Sequence, residues 1–477
     1  MSLTAVEATV SQIGRSLGWS TVGNLALRIS NFGVSIIVAR LIAPEQFGLF
    51  AVALTVWTVL GTLAEFGLGT DLVRSTDVQR RIPTVTTLGL ITSGTLAAGM
   101  VLGAPLIAAA FNSPESTSVL RLMAISMAVF GLSITPSALL QREFRQKALL
   151  TINLTALVAS TATLTVMAVS GFGPVALALG QIVSQVVSVT GQHVLTKQRP
   201  RFGFDPQIAA ESARFCLPLA AANLLSWVLL SVDNLVVARA LSPLELGLYV
   251  LAFNVSSWPM SAVGQGVRVI ALPGFSRLND DVKRRNDVLL KAIGPLWAVA
   301  VLMGAGLGIT AGPVVRRLYG ERWAAASGAL AGLAVFGAVR VVFDLFATYL
   351  IAAGQTRPVL VVQVVWLVAM APAMWVGVST FGLIGAGWTH VAVAVGVTLP
   401  AYLVCLRRVG IAAQAALRAA AVPTLAAIPF AVTCWYVTRT GDSAIVAIVA
   451  ASCCALLIYA LPLSKWWKAR LRDLRSA

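Results

Sequence analysis

The sequence predicts an all-α polytopic membrane protein with about fourteen transmembrane helices, arranged as two pseudo-symmetric six-helix lobes and two additional C-terminal helices. Of the 477 residues, 58% are hydrophobic and only 11% are charged, whereas a soluble protein carries about 25% charged residues. This composition argues against a soluble enzyme and against a disordered chain. The apolar residues form blocks of roughly 20 without strand-like alternation, so a membrane β-barrel is disfavoured as well.

Each predicted helix is an apolar segment long enough, at roughly 20 residues, to cross a bilayer. The connections are short: the longest hydrophilic stretches, 196–212 and 274–287, cannot form a folded domain of their own. The segments lie at 17–39, 47–69, 84–110, 119–140, 148–170, 173–195, 213–239, 247–270, 288–312, 325–351, 358–379, 382–405, 418–438 and 443–463.

The basic residues predict the orientation of these segments. With the N-terminus in the cytoplasm, 25 of the 35 Lys and Arg residues fall in inner connections and seven in outer ones. This asymmetry is typical of the positive-inside rule and explains the net charge of +17 without nucleic acid. We therefore expect a multi-pass protein of a bacterial plasma membrane, with both termini cytoplasmic and no cleaved signal peptide.

An internal repeat predicts the division into lobes. The stretch VARLIAPEQFGLF at 38–50 recurs 199 residues later as VARALSPLELGLY at 237–249. Six predicted spans separate the copies, so both halves have the same orientation, as in transporters with parallel repeats. The motif itself is interpreted as a tight outer hairpin, with proline ending one helix and glycine inside the start of the next.

The repeat gives four predicted regions. They are an N-terminal lobe at 1–196, a cytoplasmic linker at 197–212, a C-terminal lobe at 213–406, and two further spans with a basic tail at 407–477. In that tail, Lys465-Trp466-Trp467-Lys468 is typical of an interfacial anchor.

Four further stretches carry a resemblance to a known family. They are VARLIAPEQFGLFAVAL after the first span, EFGLGTDLVR after the second, LLQREFRQKALLTINL entering the fifth, and LYGERWAAASGALAGLAVFGAVR leading into the tenth. In this order and spacing they resemble the polysaccharide-transporter or Wzx-type flippases, which belong to the multidrug/oligosaccharidyl-lipid/polysaccharide exporter superfamily. Such proteins are commonly called lipopolysaccharide or polysaccharide biosynthesis proteins. The resemblance covers about 14–463 and implies a MATE-like fold.

The resemblance also implies a function. Such proteins are expected to move undecaprenyl-diphosphate-linked oligosaccharide from the inner to the outer leaflet by alternating access, for the export of cell-surface polysaccharide and exopolysaccharide. The implied partners are the lipid-linked oligosaccharide and membrane lipids, with a glycan polymerase and glycosyltransferases as further candidates. No nucleic acid, cofactor or metal is expected.

Polar residues in the first span form the leading candidate site. Asn24, Arg28 and Asn31 are spaced i, i+4 and i+7 and so share one helix face. Arg28 lies about a dozen residues from either end of its span, where snorkelling to an interface is difficult. A guanidinium flanked by amides suits a lipid diphosphate, and the alternative is a structural ion pair. Members of the resembled family also place arginine on the cavity face of this span.

The second half supplies five further candidates, with alternatives open for the charged ones. Asn223 and Asp233 lie in the seventh span. The Asp233 carboxylate has three interpretations: a proton-linked group, a partner of a cavity arginine, or a group at the helix end in contact with outer water. Arg268 lies near the inner end of the eighth span, where it either contacts the lipid head group first or faces cytoplasmic water. Arg340 and Asp344 in the tenth span form either a buried salt bridge or a charge pair that opens for diphosphate.

Other function classes are less well supported. A cation-coupled multidrug exporter of the same superfamily would favour an acidic, aromatic cavity, whereas the candidate charges are slightly basic in sum. A membrane glycan polymerase or glycosyltransferase generally needs a sizeable outer loop with catalytic acids, and the outer loops here are short. There is no GxxxxGK[ST] phosphate loop for ATP, and the five Cys and two His show no metal spacing. We expect a transporter and not an enzyme.

The orientation is testable by cysteine labelling in a variant whose five native cysteines are replaced. A membrane-impermeant maleimide should label cysteine at 113 or 380 in intact cells, because these positions lie in predicted outer loops. Cysteine at 147 or 283 should react only after permeabilisation. The reverse pattern would contradict the orientation.

Overall fold

The computed structural model is all-helical in the part of the chain that it describes. That part comprises residue 23, 26–276, 278, 281–440 and 444–475, without the side chains at 218–219, 221–231, 261–262, 265–270, 272–273, 440, 444–445, 447, 471 and 473–475. The helices of the first half are α1 (26–41), α2 (Pro44–Glu65), α3 (Leu68–Arg74), α4 (Val78–Ala110), α5 (Ser116–Phe130), α6 (Ile134–Arg142), α7 (Gln146–Val169), α8 (Pro174–Thr196) and α9 (Pro206–Ala240).

The second half continues in the same way. Its helices are α10 (Pro243–Ser276), α11 (Val282–Ile309), α12 (Ala311–Leu318), α13 (Ala326–Ala352), α14 (Thr356–Val393), α15 (Leu399–Arg408), α16 (Ala413–Thr440), α17 (Ala444–Cys454) and α18 (Leu461–Arg475). Short π-helical segments, Ala394–Thr398 and Ala455–Ala460, join α14 to α15 and α17 to α18.

The described part contains ten helical segments long and apolar enough to cross a membrane. One of them, Thr356–Arg408, has 53 residues and is interrupted at Gly382, whose φ of 57° lies in the left-handed region that favours glycine. Dividing it there, and adding α1, α9 and α10, gives fourteen long segments, one for each span predicted from the sequence. The prediction of an all-α multi-pass membrane protein is thereby confirmed.

The chain packs into two compact units, Met1–Gly247 and Leu248–Ala477. In the first, Phe50, Met100 and Met123 belong to a core between α2, α4 and α5. In the second, Ile293 and Tyr349 belong to a core between α11, α13 and α15. The boundary follows α9, so the seventh predicted span groups with the first unit. The lobes drawn from the repeat, 1–196 and 213–406, remain a prediction about the duplication.

The two copies of the repeated motif touch each other within the first unit. Each proline is the first residue of a helix, α2 or α10, so these helices begin a few residues before the predicted spans 47–69 and 247–270. A Cβ atom at Gly48 would lie 1.7 Å from the carbonyl oxygen of Pro243, and one at Gly247 would lie 2.0 Å from that of Pro44. The glycines therefore let two helix starts meet backbone against backbone, as small residues do in membrane helix pairs.

Two connections differ in the exposure of their side chains. Asp281 is exposed, accepts a hydrogen bond from the N–H of Arg284 at 3.0 Å and caps α11. Ser113, in contrast, is buried and pairs with Ser116 at 2.7 Å. It is therefore a poor labelling position, and the exposed Asn112 beside it is the better one.

The close contact at Gly48 and Gly247 predicts that one added methyl group at either position destabilises the protein. Gly48→Ala or Gly247→Ala should lower the thermal midpoint of the purified protein, since overpacking costs about 1–3 kcal/mol. Gly99→Ala in α4 is the matched control, because a Cβ there meets nothing within 4 Å, and it should be neutral or slightly stabilising. Equal midpoints for all three variants would contradict the contact.

Candidate functional site

The first candidate cluster is only partly within the described residues. Arg28 is half-buried on α1 and makes contacts with other groups, and Asn31 on the same helix is exposed. Asn24 lies outside the described residues, and so do the side chains of Asn223 and Arg268. The predicted common face of Asn24, Arg28 and Asn31 therefore stays a prediction.

Asp233 is enclosed by protein in the first unit. Its side chain is 7% exposed, and its Oδ1 atom accepts the N–H of Asn234 at 2.8 Å. The neighbouring Asn234 side chain donates to Thr55 on α2 at 3.3 Å. A carboxylate buried in this way does not fit the interpretation as a helix end in open outer water. The other two interpretations, a proton-linked group or a partner of an arginine, remain.

Arg340 stands out in the second unit because it is exposed on an otherwise enclosed helix. It lies near the midpoint of α13, and every other residue between 326 and 350 is buried or half-buried. An arginine facing hydrocarbon at mid-membrane costs at least roughly 2.5–3.5 kcal/mol. Exposure at this level therefore favours a water-filled cavity on that side of the helix.

Asp344 lies one turn from Arg340 but is placed differently. It is half-buried, and a Cβ atom at Gly264 of α10 would lie 3.0 Å from its Oδ2 atom. No ion pair within 4.0 Å joins Asp344 to Arg340, both of which belong to the described part. The two side chains therefore form no ion pair with each other in this structure, and the roles assigned to them remain predictions.

A buried histidine beside Arg340 was not among the predicted site residues. His390 is 3% exposed, and its Nε2 atom lies 2.9 Å from the hydroxyl oxygen of Tyr249. Its ring packs 4.8 Å from that of Phe336, one turn before Arg340 on α13. The available sequence signal was a histidine inside an apolar span together with Phe50 becoming Tyr249 between the repeat copies. The pair places a titratable group in the interior of the second unit.

The most extensive charged network of the first unit centres on Asp71, which is 1% exposed. Its Oδ2 atom accepts hydrogen bonds from Ser212 at 2.8 Å and from Arg81 at 3.2 Å, and Arg74 approaches Oδ1 at 3.4 Å. Arg81 also pairs with Glu211. A buried carboxylate is tolerated only when it is paired in this way.

Two further arginines extend this network across neighbouring helix ends, which the sequence predicts to lie on the inner side of the membrane. Arg142 of α6 donates to the carbonyl oxygens of Val73 and Ser75 at 2.7 and 2.6 Å, at the end of α3. Arg80 pairs with Asp205 at 3.1 Å. The network ties the connection between the second and third spans to the start of the seventh. Sequence reasoning missed it, because its partners Ser212 and Glu211 lie more than a hundred residues away along the chain.

Asp205 also caps α9. The N–H of Ile208, the Arg80 guanidinium and the N–H of Gln207 hold the pKa of the Asp205 carboxyl below its ordinary value. Because the folded-state pKa is depressed, this cap contributes stability above the unfolded-state pKa and loses it as the pH falls through the folded-state value.

Within the described residues, no group of three or more His, Cys, Asp or Glu side chains is placed to hold a metal ion. Among the described residues, the charged and titratable groups within helices include the arginines Arg28 and Arg340, the buried carboxylates Asp71 and Asp233, and the buried His390.

Comparison with known families gives a match over most of the chain. A family model described as "Polysaccharide biosynthesis protein" matches residues 37–328. The succinoglycan biosynthesis transport protein ExoT of Rhizobium meliloti is 28% identical over 346 residues, which cover 72% of this chain and 70% of that protein. The lipopolysaccharide biosynthesis protein WzxC of Escherichia coli is 23% identical over 396 residues, covering 82% and 80%.

Solved structures of transporters have the same fold. The lipid II flippase MurJ in its inward closed conformation superposes with a TM-score of 0.75 at 14% identity, covering 94% of this chain and 99% of MurJ. An inward-facing multidrug resistance MATE family transporter of the MOP superfamily gives a TM-score of 0.63 at 17% identity, covering 82% and 98%. The predicted MATE-like fold is confirmed.

The Asp71 network predicts a strong effect of removing one charge. Asp71→Asn should lower the thermal midpoint of the purified protein by several degrees, because breaking a buried pair leaves arginine charge uncompensated at a cost on the order of 3 kcal/mol. Asp77→Asn, an exposed position in the same connection, is the matched control and should change little. Equal midpoints would show that the network contributes no stability.

Proposed function

The chain belongs to the polysaccharide biosynthesis protein family, and we propose that it is a flippase for polyprenyl-diphosphate-linked oligosaccharide. It moves its cargo from the inner to the outer leaflet of a bacterial plasma membrane by alternating access, with both termini in the cytoplasm. The cargo serves the export of a cell-surface polysaccharide. In this proposal the carrier is undecaprenyl diphosphate, as implied by the resemblance of the sequence.

The observation that carries the proposal is the exposed guanidinium of Arg340 at the middle of α13. A lone mid-membrane cation in an otherwise enclosed helix is costly unless it meets water or an anion. A diphosphate that visits the cavity would stabilise this charge, and the planar fork of arginine binds phosphate oxygens in pairs. The names of ExoT and WzxC, and the fold shared with MurJ, support the same class of cargo.

Arg28 supplies a second cation in the proposal. It lies in the first span, inside the helix and away from both predicted membrane surfaces. We assign Arg28 and Arg340 to the diphosphate, and Asn24, Asn31, Asn223 and Arg268 to further contacts with the cargo. Asp233 and Asp344 are assigned to ion coupling or to charge pairing, since Asp233 is buried and Asp344 half-buried.

The cargo class can be tested with the purified chain in liposomes. Fluorescent undecaprenyl-diphosphate oligosaccharide should become accessible to an external quencher faster than in empty liposomes. A multidrug exporter would instead move a cationic dye such as ethidium under a sodium or proton gradient and leave the glycolipid in place. Dye transport without glycolipid transport would overturn the proposal.

The arginines predict a graded response in the same assay. Arg28→Ala and Arg340→Ala should each reduce glycolipid transport on the order of 10- to 100-fold, the worth of a hydrogen bond to a charged group. The lysine variants should be impaired less, because they keep the charge and lose the bidentate fork. All of these variants should still insert into the membrane, since the alanine variants remove a charge from within a span and the lysine variants add none.

Arg121→Ala is the matched control, because Arg121 is exposed near the start of α5, in a predicted outer connection. It should transport at the level of the unmodified protein. Full transport by normally inserted Arg28→Ala and Arg340→Ala variants would remove both residues from the cargo site.

A further inference from the structure

A charged cavity at the surface lies in the second unit, and Arg340 is not among the residues that line it. Its volume is about 240 Å³, and it is bounded by α11, α16 and α18. Lys291, Arg418 and Arg470 each line it, one from each helix, together with one acid, Asp287. It is roughly eight times the 30 Å³ that one water molecule occupies in the liquid, so a phosphate with a small polar arm fits.

The helix packing beside the cavity explains why three cations meet there. A Cβ atom at Gly294 of α11 would lie 3.1 Å from Cη2 of Trp466 and 3.1 Å from the carbonyl oxygen of Ala419. The missing side chain lets the indole of α18 and the backbone of α16 approach α11 closely. Arg470 follows one turn after Trp466, with its guanidinium carbon 6.0 Å from the ring centroid.

A hydrogen bond holds the same three helices together deeper in the unit. Tyr459 lies in the π-helical segment that precedes α18. Its hydroxyl donates a hydrogen bond to the carbonyl oxygen of Ala298 on α11 at 2.9 Å. Phe430 of α16 packs against the ring of Tyr459 at 6.0 Å. The cavity wall is therefore part of a packed core, and its cations are not carried by a free tail.

The level of the cavity follows from the predicted orientation. Lys291, Arg418 and Arg470 belong to inner segments, and Trp466 belongs to the Lys465–Lys468 anchor typical of the membrane interface. Each cation lies on the cytoplasmic side of the point where Gly294, Ala419 and Trp466 meet. This is the depth of lipid head groups in the inner leaflet.

We propose that this cavity binds the head group of an anionic glycerophospholipid. The phosphodiester lies between Lys291, Arg418 and Arg470, and a head-group hydroxyl donates to the carboxylate of Asp287. Basic pockets between transmembrane helices on the cytoplasmic side are suited to such lipids. Arginine contributes paired donors to phosphate oxygens and lysine contributes a compact charge. None of the residues assigned to the cargo is among those that line the cavity, and the bound lipid is expected to hold α16 and α18 against α11.

The test uses the full-length protein in phosphatidylcholine nanodiscs, with phosphatidylglycerol added and the bound lipid measured by native mass spectrometry. The unmodified protein should retain phosphatidylglycerol over phosphatidylcholine. The triple variant Lys291→Gln, Arg418→Gln and Arg470→Gln should lose at least roughly tenfold in affinity, because it removes all three cations that line the cavity and would contact the phosphodiester. Unchanged binding by this variant would overturn the proposal.

The matched control removes the same net charge from the same region outside the cavity. Lys465, Lys468 and Arg472 are exposed on α18 and do not line the cavity. Changing all three to Gln should leave phosphatidylglycerol binding within about twofold of the unmodified protein. Equal losses in the two triple variants would show general attraction to an anionic surface and would overturn a defined site.

Two further variants keep the proposal falsifiable if the triple variant is unstable. Ala415→Phe fills the cavity without changing charge and should also lose binding. Asp287→Asn removes the only acid that lines the cavity and should tighten phosphate binding, whereas a purely structural role of the acid would leave it unchanged. Displacement of the lipid by millimolar inorganic phosphate would identify a free-phosphate site and overturn the lipid assignment. Preference for undecaprenyl diphosphate over phosphatidylglycerol would also overturn the assignment to a glycerophospholipid.

Discussion

Hydrocarbon cannot accept hydrogen bonds, and most features of this molecule follow from that constraint. A segment that crosses the membrane has to satisfy its own backbone N–H and C=O groups, which only a helix does within a single segment. The described part of the chain is accordingly helical, with few breaks. Irregular backbone occurs at the ends of spans, as at Gly382, where two helices turn back on one another.

The same constraint decides where charge is tolerated. Asp71 is almost completely buried, and it is compensated by two arginines and a serine hydroxyl. Arg340 is tolerated in a different way, by exposure at mid-helix on a side that favours water. The first arrangement holds helix ends together, whereas the second leaves a cation available to an anion. This difference separates a structural charge from a candidate functional one.

Close helix contacts in this protein depend on missing side chains. Between helices that are surrounded by lipid, the hydrophobic effect gives little attraction. Close packing of side chains and backbone therefore drives helix association. Gly48 and Gly247 allow the two copies of the repeated motif to meet, and Gly294 allows Trp466 to pack against α11. Both copies of the duplicated motif therefore carry glycine where their backbones make contact, in the first unit. The cavity between α11, α16 and α18 depends on the contact at Gly294.

The sequence alone determined the membrane class, the number and approximate positions of the long helices, and the family, which the match over 37–328 confirms. These properties are local, because apolar length, proline geometry and basic residues can be recognised without knowing any neighbour. Only the tertiary structure decided which polar groups are enclosed: Asp71 finds Ser212, 141 residues away, and Arg340 is exposed and separate from Asp344. A helix that is apolar on all sides carries no distinct polar face, so its sequence does not mark the side that meets protein, lipid or water. That side depends on which other helices pack against it, and the packing brings together residues that are distant in the sequence.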